Sequence, residues 1–172
     1  METILANIEG GMVSSNAGEA FSLYSKSHFG EPSSGKIHYT PSECLFLVEK
    51  GKIEVFSGRK KLSGKNLLEL FRKKDKKIDV KYIVFRDLRE KGYIVKAGLK
   101  FGAEFRVYEK GSSQKMSHSK WIVFTDRESR KISWNEFSAR NRVAHSTKKK
   151  LLVAVVDEEN DITYYEINWI RT

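Results

Sequence analysis

The chain has 172 residues, 40% of them hydrophobic and 12% aromatic, which is enough to pack one large domain or two small ones and argues against a disordered chain. Its net charge is +10 and its single cysteine, Cys44, excludes an internal disulfide. No apolar run approaches the ~20 residues of a membrane span, and residues 1–10 lack the basic-then-apolar order of a secretory signal, so a cytoplasmic protein with no membrane partner is expected.

In chain order, the first strong local signal is Thr40-Pro41-Ser42-Glu43. Thr as N-cap, Pro at the first helical position and Glu at the third form a capping box. Leu45, Phe46 and Val48 supply an apolar face, Cys44 reads as a buried small side chain, and Gly51 ends the helix. Ile53, Glu54, Val55 and Phe56 alternate as a short strand, and Leu67, Leu68, Leu70 and Phe71 mark a second helix. The polar run 72–77 reads as a connector. Two domains are expected: a small mixed N-terminal one over 1–76 and a C-terminal one over 77–172.

The second domain opens with a helix through Tyr82, Phe85 and Leu88, stopped by Gly92, followed by a strand at Tyr93, Ile94 and Val95. Phe101, Ala103, Phe105 and Val107 occupy every second position. That predicts one strand with these residues on one face and Glu104, Arg106 and Tyr108 on the other. Gly111-Ser112-Ser113 reads as a turn and 121–124 as a buried strand. Ser133-Trp134-Asn135-Glu136 predicts a second capping box opening a helix to about Lys148. Residues 151–156 form a strand-length apolar run, 157–161 an acidic turn, and 162–170 a last strand with Thr163, Tyr165, Ile167 and Trp169 on one face. The fold class is therefore mixed α/β (α+β): a small mixed N-terminal domain, then a C-terminal domain with a central mixed sheet flanked by helices.

Charge is unevenly distributed. Residues 51–150 hold 28 basic and 11 acidic side chains, a balance of +17, whereas 1–50 balance at −3 and 151–172 at −4. A basic middle between mildly acidic ends suggests a polyanion-binding surface; a solvated lysine-rich surface is the alternative. There is no GxxxxGK[ST] loop, no GxGxxG after a strand and no CxxC pair. His28, His38, His118 and His145 lack metal-ligand spacing, so no metal and no cofactor are expected.

What remains is polar residues beside strands and helix ends. Tyr108 ends a strand, His118 follows ten residues later across the Gly/Ser turn, and Lys149 sits where a helix gives way to a buried strand. A hairpin can bring Tyr108 to His118, and the edge of the same sheet could present Lys149. Each also has an ordinary reading: an amphipathic strand residue, a surface turn histidine, and a cation serving the helix macrodipole.

Residues 87–108, DLREKGYIVKAGLKFGAEFRVY, then His118-Ser119, then RVAHSTKK at 142–149 resemble, in order and spacing, the motifs of the archaeal tRNA-splicing endonucleases. Ser27-His28-Phe29-Gly30 and the segment 43–47 are similar to that family's N-terminal domain. The resemblance implies an RNA-cleaving lyase acting by transesterification, with Tyr108 as general base, His118 as general acid and Lys149 as transition-state stabiliser. It implies cleavage of precursor tRNA at both splice sites of a bulge-helix-bulge, without metal, leaving 2′,3′-cyclic phosphate and 5′-hydroxyl ends. These residue types suit such chemistry. Histidine titrates near neutrality, lysine supplies positive charge for a phosphorane, and tyrosine becomes a base only where neighbouring cations stabilise its phenolate.

By the same resemblance Arg142 stacks on a bulged base, although a phosphate contact or a helix-end salt bridge would also suit it. Tyr164 and Tyr165 are further candidates for stacking. The acidic turn, with Asp157, Glu158, Glu159 and Asp161, resembles a loop that docks into a basic cleft of another subunit, and the terminal strands resemble a dimer contact. The implied assembly is a homotetramer, or a heterotetramer with a related noncatalytic chain.

Overall fold

Strands Ile4–Glu9 (β1) and Met12–Ser15 (β2) pair antiparallel, folding back through Gly10 and Gly11, both at positive φ. Ile4, Ala6 and Val13 point into the core. The computed structural model describes residues 2–111 and 118–170 and comprises two units that divide between Arg86 and Asp87. The split falls inside a helix, Ile78–Glu90 (α4), beyond the polar run at 72–77.

The first unit continues with Gly18–Ser27 (α1), Glu31–Ser33 (β3), Lys36–Tyr39 (β4), Pro41–Glu49 (α2), Ile53–Ser57 (β5), Lys60–Leu62 (β6) and Gly64–Lys74 (α3). Its six strands form one sheet in the order β3-β4-β2-β1-β5-β6, with β1 parallel to β5 and every other pair antiparallel. The sequence reading assigns no element before Thr40. These strands are three to six residues long, below the length at which alternation stands out, and the Gly-Gly hairpin was the one usable signal.

The start of α2 agrees with expectation. The Thr40 hydroxyl accepts from the Glu43 amide at 3.3 Å, and the Glu43 carboxylate accepts from the Thr40 amide at 2.9 Å. Glu43 is itself buried and also accepts from the Gly30 amide at 2.9 Å, so the cap fastens a distant loop to the helix. Cys44 is fully buried, and burial pushes its thiol up to about 12, which makes it inert packing material.

The second unit is a five-stranded mixed sheet in the order β11-β10-β9-β8-β7, built from Ile94–Ala97 (β7), Phe105–Tyr108 (β8), Trp121–Arg127 (β9), Lys150–Val156 (β10) and Ile162–Ile167 (β11). Only β9 and β10 run parallel, and the helix Trp134–Ser146 (α5) connects them. Ala144 packs with Ile122, Phe124, Leu151 and Val153 on one sheet face. The mixed α/β class and the mixed central sheet are as expected. No helix among the described residues is long and apolar enough to cross a membrane.

Three local expectations are corrected. First, Phe101 is not in a strand: Leu99–Phe101 form a 3-10 turn and β8 starts only at Phe105. The chain doubles back because Gly98 lies against the following backbone. A Cβ there would sit 2.8 Å from the Phe105 carbonyl carbon and 2.9 Å from the Ala103 oxygen, so alternation through 101–107 was coincidental in its first half. Second, Ser133 caps α5 by accepting from the Glu136 amide at 3.1 Å, but the Glu136 carboxylate turns to Arg130 and Arg140, each at 2.6 Å. Charged donors outcompete the amide that a capping box would use. Third, β11 ends at Ile167, so Trp169 lies beyond the strand. Ser112 and Ser113 of the expected turn lie outside the described residues.

Candidate active site

Strand register brings the three candidate residues to one end of the second sheet. Ile94 of β7 pairs with Tyr108, and Val107 of β8 pairs with Trp121 of β9. Trp121 in turn pairs with Lys150 of β10. The Lys120 amide donates to the Val107 carbonyl and the Lys150 amide to the Lys120 carbonyl, both at 2.9 Å. The C-terminal end of β8 and the first residues of β9 and β10 therefore line up, with Tyr108 last on β8, His118 two residues before Lys120, and Lys149 next to Lys150. Because β10 lies inside the sheet, Lys149 is presented at a strand's beginning and not at a lateral edge.

Tyr108 is buried, and the Arg106 guanidinium stands 5.9 Å from its ring centroid. His118 is exposed and Ser119 beside it is buried. Lys149 is half-buried with its ammonium 5.4 Å from the Phe101 ring centroid. Burial, then the nearby charges of Lys100 and Arg106, holds its pKa below the usual lysine range.

The direction in which Lys149 leaves α5 is fixed by the helix terminus. The Lys149 amide donates to the Ala144 carbonyl at 2.8 Å and the Lys148 amide to His145 at 3.0 Å, the bond pair of a Schellman motif. The left-handed position, usually glycine, is Lys148 with φ 55. A β-carbon there is strained, and the strain is held at the residue before the candidate lysine.

Arg142 is exposed and lines a groove of about 550 Å³ along α5 with Phe137, His145 and Trp169, the His145 and Trp169 rings lying 4.3 Å apart. Of the two candidate tyrosines, Tyr165 is exposed, whereas Tyr164 donates its hydroxyl to Asp87 at 2.7 Å and burial raises its pKa. Tyr165 is the one open to solvent.

The acidic turn is a closed loop. The Asp161 amide donates to the Asp157 carboxylate at 2.8 Å, and Arg127 donates to the Asp157 carbonyl at 2.7 Å. Asp157 thus fastens the turn, leaving Glu158, Glu159 and Asp161 exposed. Among the described residues no group of His, Cys, Asp and Glu side chains could hold a metal ion. Nothing local marked Lys100 or Arg140, and Phe101 was expected only as a strand residue. Arg106 was placed on Tyr108's face by alternation, but nothing local linked it to Lys149.

Comparison with known proteins identifies both units. Residues 78–164 match the family described as tRNA intron endonuclease, catalytic C-terminal domain, and residues 5–68 match tRNA intron endonuclease, N-terminal domain. The chain is 47% identical over 149 residues to a tRNA-splicing endonuclease of Thermococcus onnurineus, covering 87% of this chain and 85% of that one. It is 40% identical to one of Methanothermobacter thermautotrophicus over 149 residues, covering 87% and 86%, and 38% identical to one of Nanoarchaeum equitans over 133 residues, covering 74% and 85%. The matched catalytic domain, over 78–164, is that of an endonuclease. The chain belongs to the tRNA intron endonuclease family.

Proposed function

We propose that this protein is a tRNA-splicing endonuclease of the reducing cytoplasm that cuts precursor tRNA at both splice sites of a bulge-helix-bulge. The observation that carries this reading is the alignment of Tyr108, His118 and Lys149 at one end of the sheet of the matched catalytic domain. Tyr108 takes the proton of the 2′-hydroxyl, whose oxygen attacks the adjacent phosphorus. His118 protonates the departing 5′-oxygen, and Lys149 stabilises the charge gathered on the phosphorane. The P–O bond to the 5′-oxygen breaks as the ring closes, giving a 2′,3′-cyclic phosphate and a 5′-hydroxyl. The Arg106 guanidinium stands beside the Tyr108 ring. Every proton and charge in this scheme is handled by a side chain, so no metal is needed. Unpaired bulge nucleotides can adopt the in-line geometry that a stacked helix resists, and Arg142 in its groove is suited to hold one of them.

A labelled precursor tRNA incubated in EDTA tests this reading. Two cuts with cyclic-phosphate ends are expected. Cutting that appears only on adding a divalent cation, or ends lacking the cyclic phosphate, would refute the scheme.

The assembly that fits two cut sites and one catalytic set per chain is a tetramer, either of identical chains or with a related noncatalytic subunit. The exposed edge strand β11 with Tyr165, and Trp169 beyond it, suits one contact, and the acidic turn suits another with a basic surface. Neutralising Glu158, Glu159 and Asp161 together, with Asp157 kept to hold the turn, is expected to lower the mass measured by light scattering at low micromolar concentration. An unchanged mass would remove the turn from the interface.

A further inference from the structure

Around the Phe101 ring the structure gathers positive charge, of which the scheme above uses only Lys149. The Lys100 ammonium lies 5.1 Å from the ring centroid and that of Lys149 5.4 Å. Arg106, on β8 beside the Tyr108 ring, is close enough to act on Lys149. Lys96, buried on β7, pairs across the ladder with Arg106. Among the described residues neither Lys100 nor Lys149 forms an ion pair. The nearby carboxylate of Glu104 accepts from the Thr125 amide at 3.2 Å.

This crowding is built in. The tight turn at Gly98 fixes where Lys100 emerges, Phe101 packs on the core under α5, and the Schellman terminus fixes Lys149. Folded protein holds like charges together at a cost, and an arriving anion would relieve it.

We propose that Lys100 and Arg106 form, with Lys149 and the Phe101 ring, a receiving site for a backbone phosphate of the RNA next to the bond that is cut. The inference rests on the endonuclease reading of the site and adds residues that bind substrate. It also couples binding to chemistry. A bound phosphate offsets the repulsion from Lys100 and Arg106 and so favours the charged form of Lys149. The charges acting on Lys149 are those of Lys100 and Arg106.

The test uses the full-length protein and a precursor tRNA carrying 2′-deoxyribose at each cut position, which removes the attacking hydroxyl and lets binding be measured without cutting. Lys100→Gln is expected to weaken binding roughly fivefold at about 0.15 M salt. It should also flatten the slope of log affinity against log salt by about 0.7–0.9, the loss of one phosphate contact. Arg106→Gln should do the same, and Arg106→Lys should restore most of the slope. In labelled-lysine NMR of the free protein, the Lys149 titration should move to higher pH in Lys100→Gln, an effect a merely structural role for Lys100 would not produce. Unchanged affinity and salt slope in both glutamine variants, or an unmoved Lys149 titration, would overturn the site. If the binding and titration effects appear but an all-ribose substrate is never cut, the phosphate site stands and the cleavage reading falls.

Discussion

Replacing His118 by alanine will slow single-turnover cleavage by about 10²–10⁴-fold at saturating RNA while leaving affinity nearly unchanged, because a proton donor to the leaving group acts only in the transition state. His118 is exposed at the head of β9, so its loss should not disturb folding. Tyr108→Phe should show a comparable loss, since it removes one hydroxyl from a buried ring and keeps the packing. Lys149→Ala should cost about 10²–10³-fold. Lys149→Arg separates charge from identity through its pH profile. The ammonium of Lys149 is disfavoured by burial and by Lys100 and Arg106, so it loses its proton below the ordinary lysine value of about 10.4. The wild-type rate should therefore fall as pH rises through that lowered value. Arginine keeps its proton throughout this range, so the decline should be absent or displaced to higher pH. Matching alkaline declines in wild type and Lys149→Arg would remove the electrostatic role. The same lowered pKa has a stability consequence. Between the folded value and the ordinary one the unfolded chain binds more protons, so Lys149's unfavourable contribution to folding is relieved as pH rises across that window.

Asp126→Ala is expected to destabilise the second unit by about 3–5 kcal/mol, which for a chain of this length lowers Tm by roughly 10 °C. Asp126 and Arg140 are buried and bonded at 2.6 Å, and Arg130 reaches the other Asp126 oxygen at 2.7 Å. Glu136 closes the network, its carboxyl held below the usual range first by Arg130 and then by Arg140. Removing Asp126 takes away the buried partner of the Arg140 guanidinium and leaves Glu136 to serve both Arg140 and Arg130; Arg140 also stacks 4.7 Å from the Phe124 ring centroid. Replacing both partners by apolar residues, Asp126→Leu with Arg140→Met, should cost far less, because no charge is then left unpaired. Thermal unfolding of the two variants decides the point: equal losses would mean the pair contributes packing alone. The network ties α5 to β9, and α5 delivers Lys149, so Asp126→Ala should also lower the cleavage rate well below the unfolding temperature.

The amino-acid order determined whatever depends on groups a few residues apart. The α2 cap was legible because Thr40 and Glu43 satisfy each other's amides across three residues. The buried strands β9 and β10 were legible because an apolar run of that length has few other destinations. Tyr108, His118, Lys149 and Arg142 could be named because their flanking motifs stand in a recognisable order, not because their spacing dictated a site. Only the tertiary structure decided where those residues go. Val107 and Lys120 join across an antiparallel ladder, and Lys120 and Lys150 across a parallel one that needs α5 as its crossover. The turn at Gly98 reads as strand until the approach of Phe105 is known. Lys100 and Lys149, like Asp126 and Arg140, meet because sheet register and helix packing bring distant segments together. Such contacts depend on the burial of both faces of the sheet at once, a property of the folded whole that no local window contains.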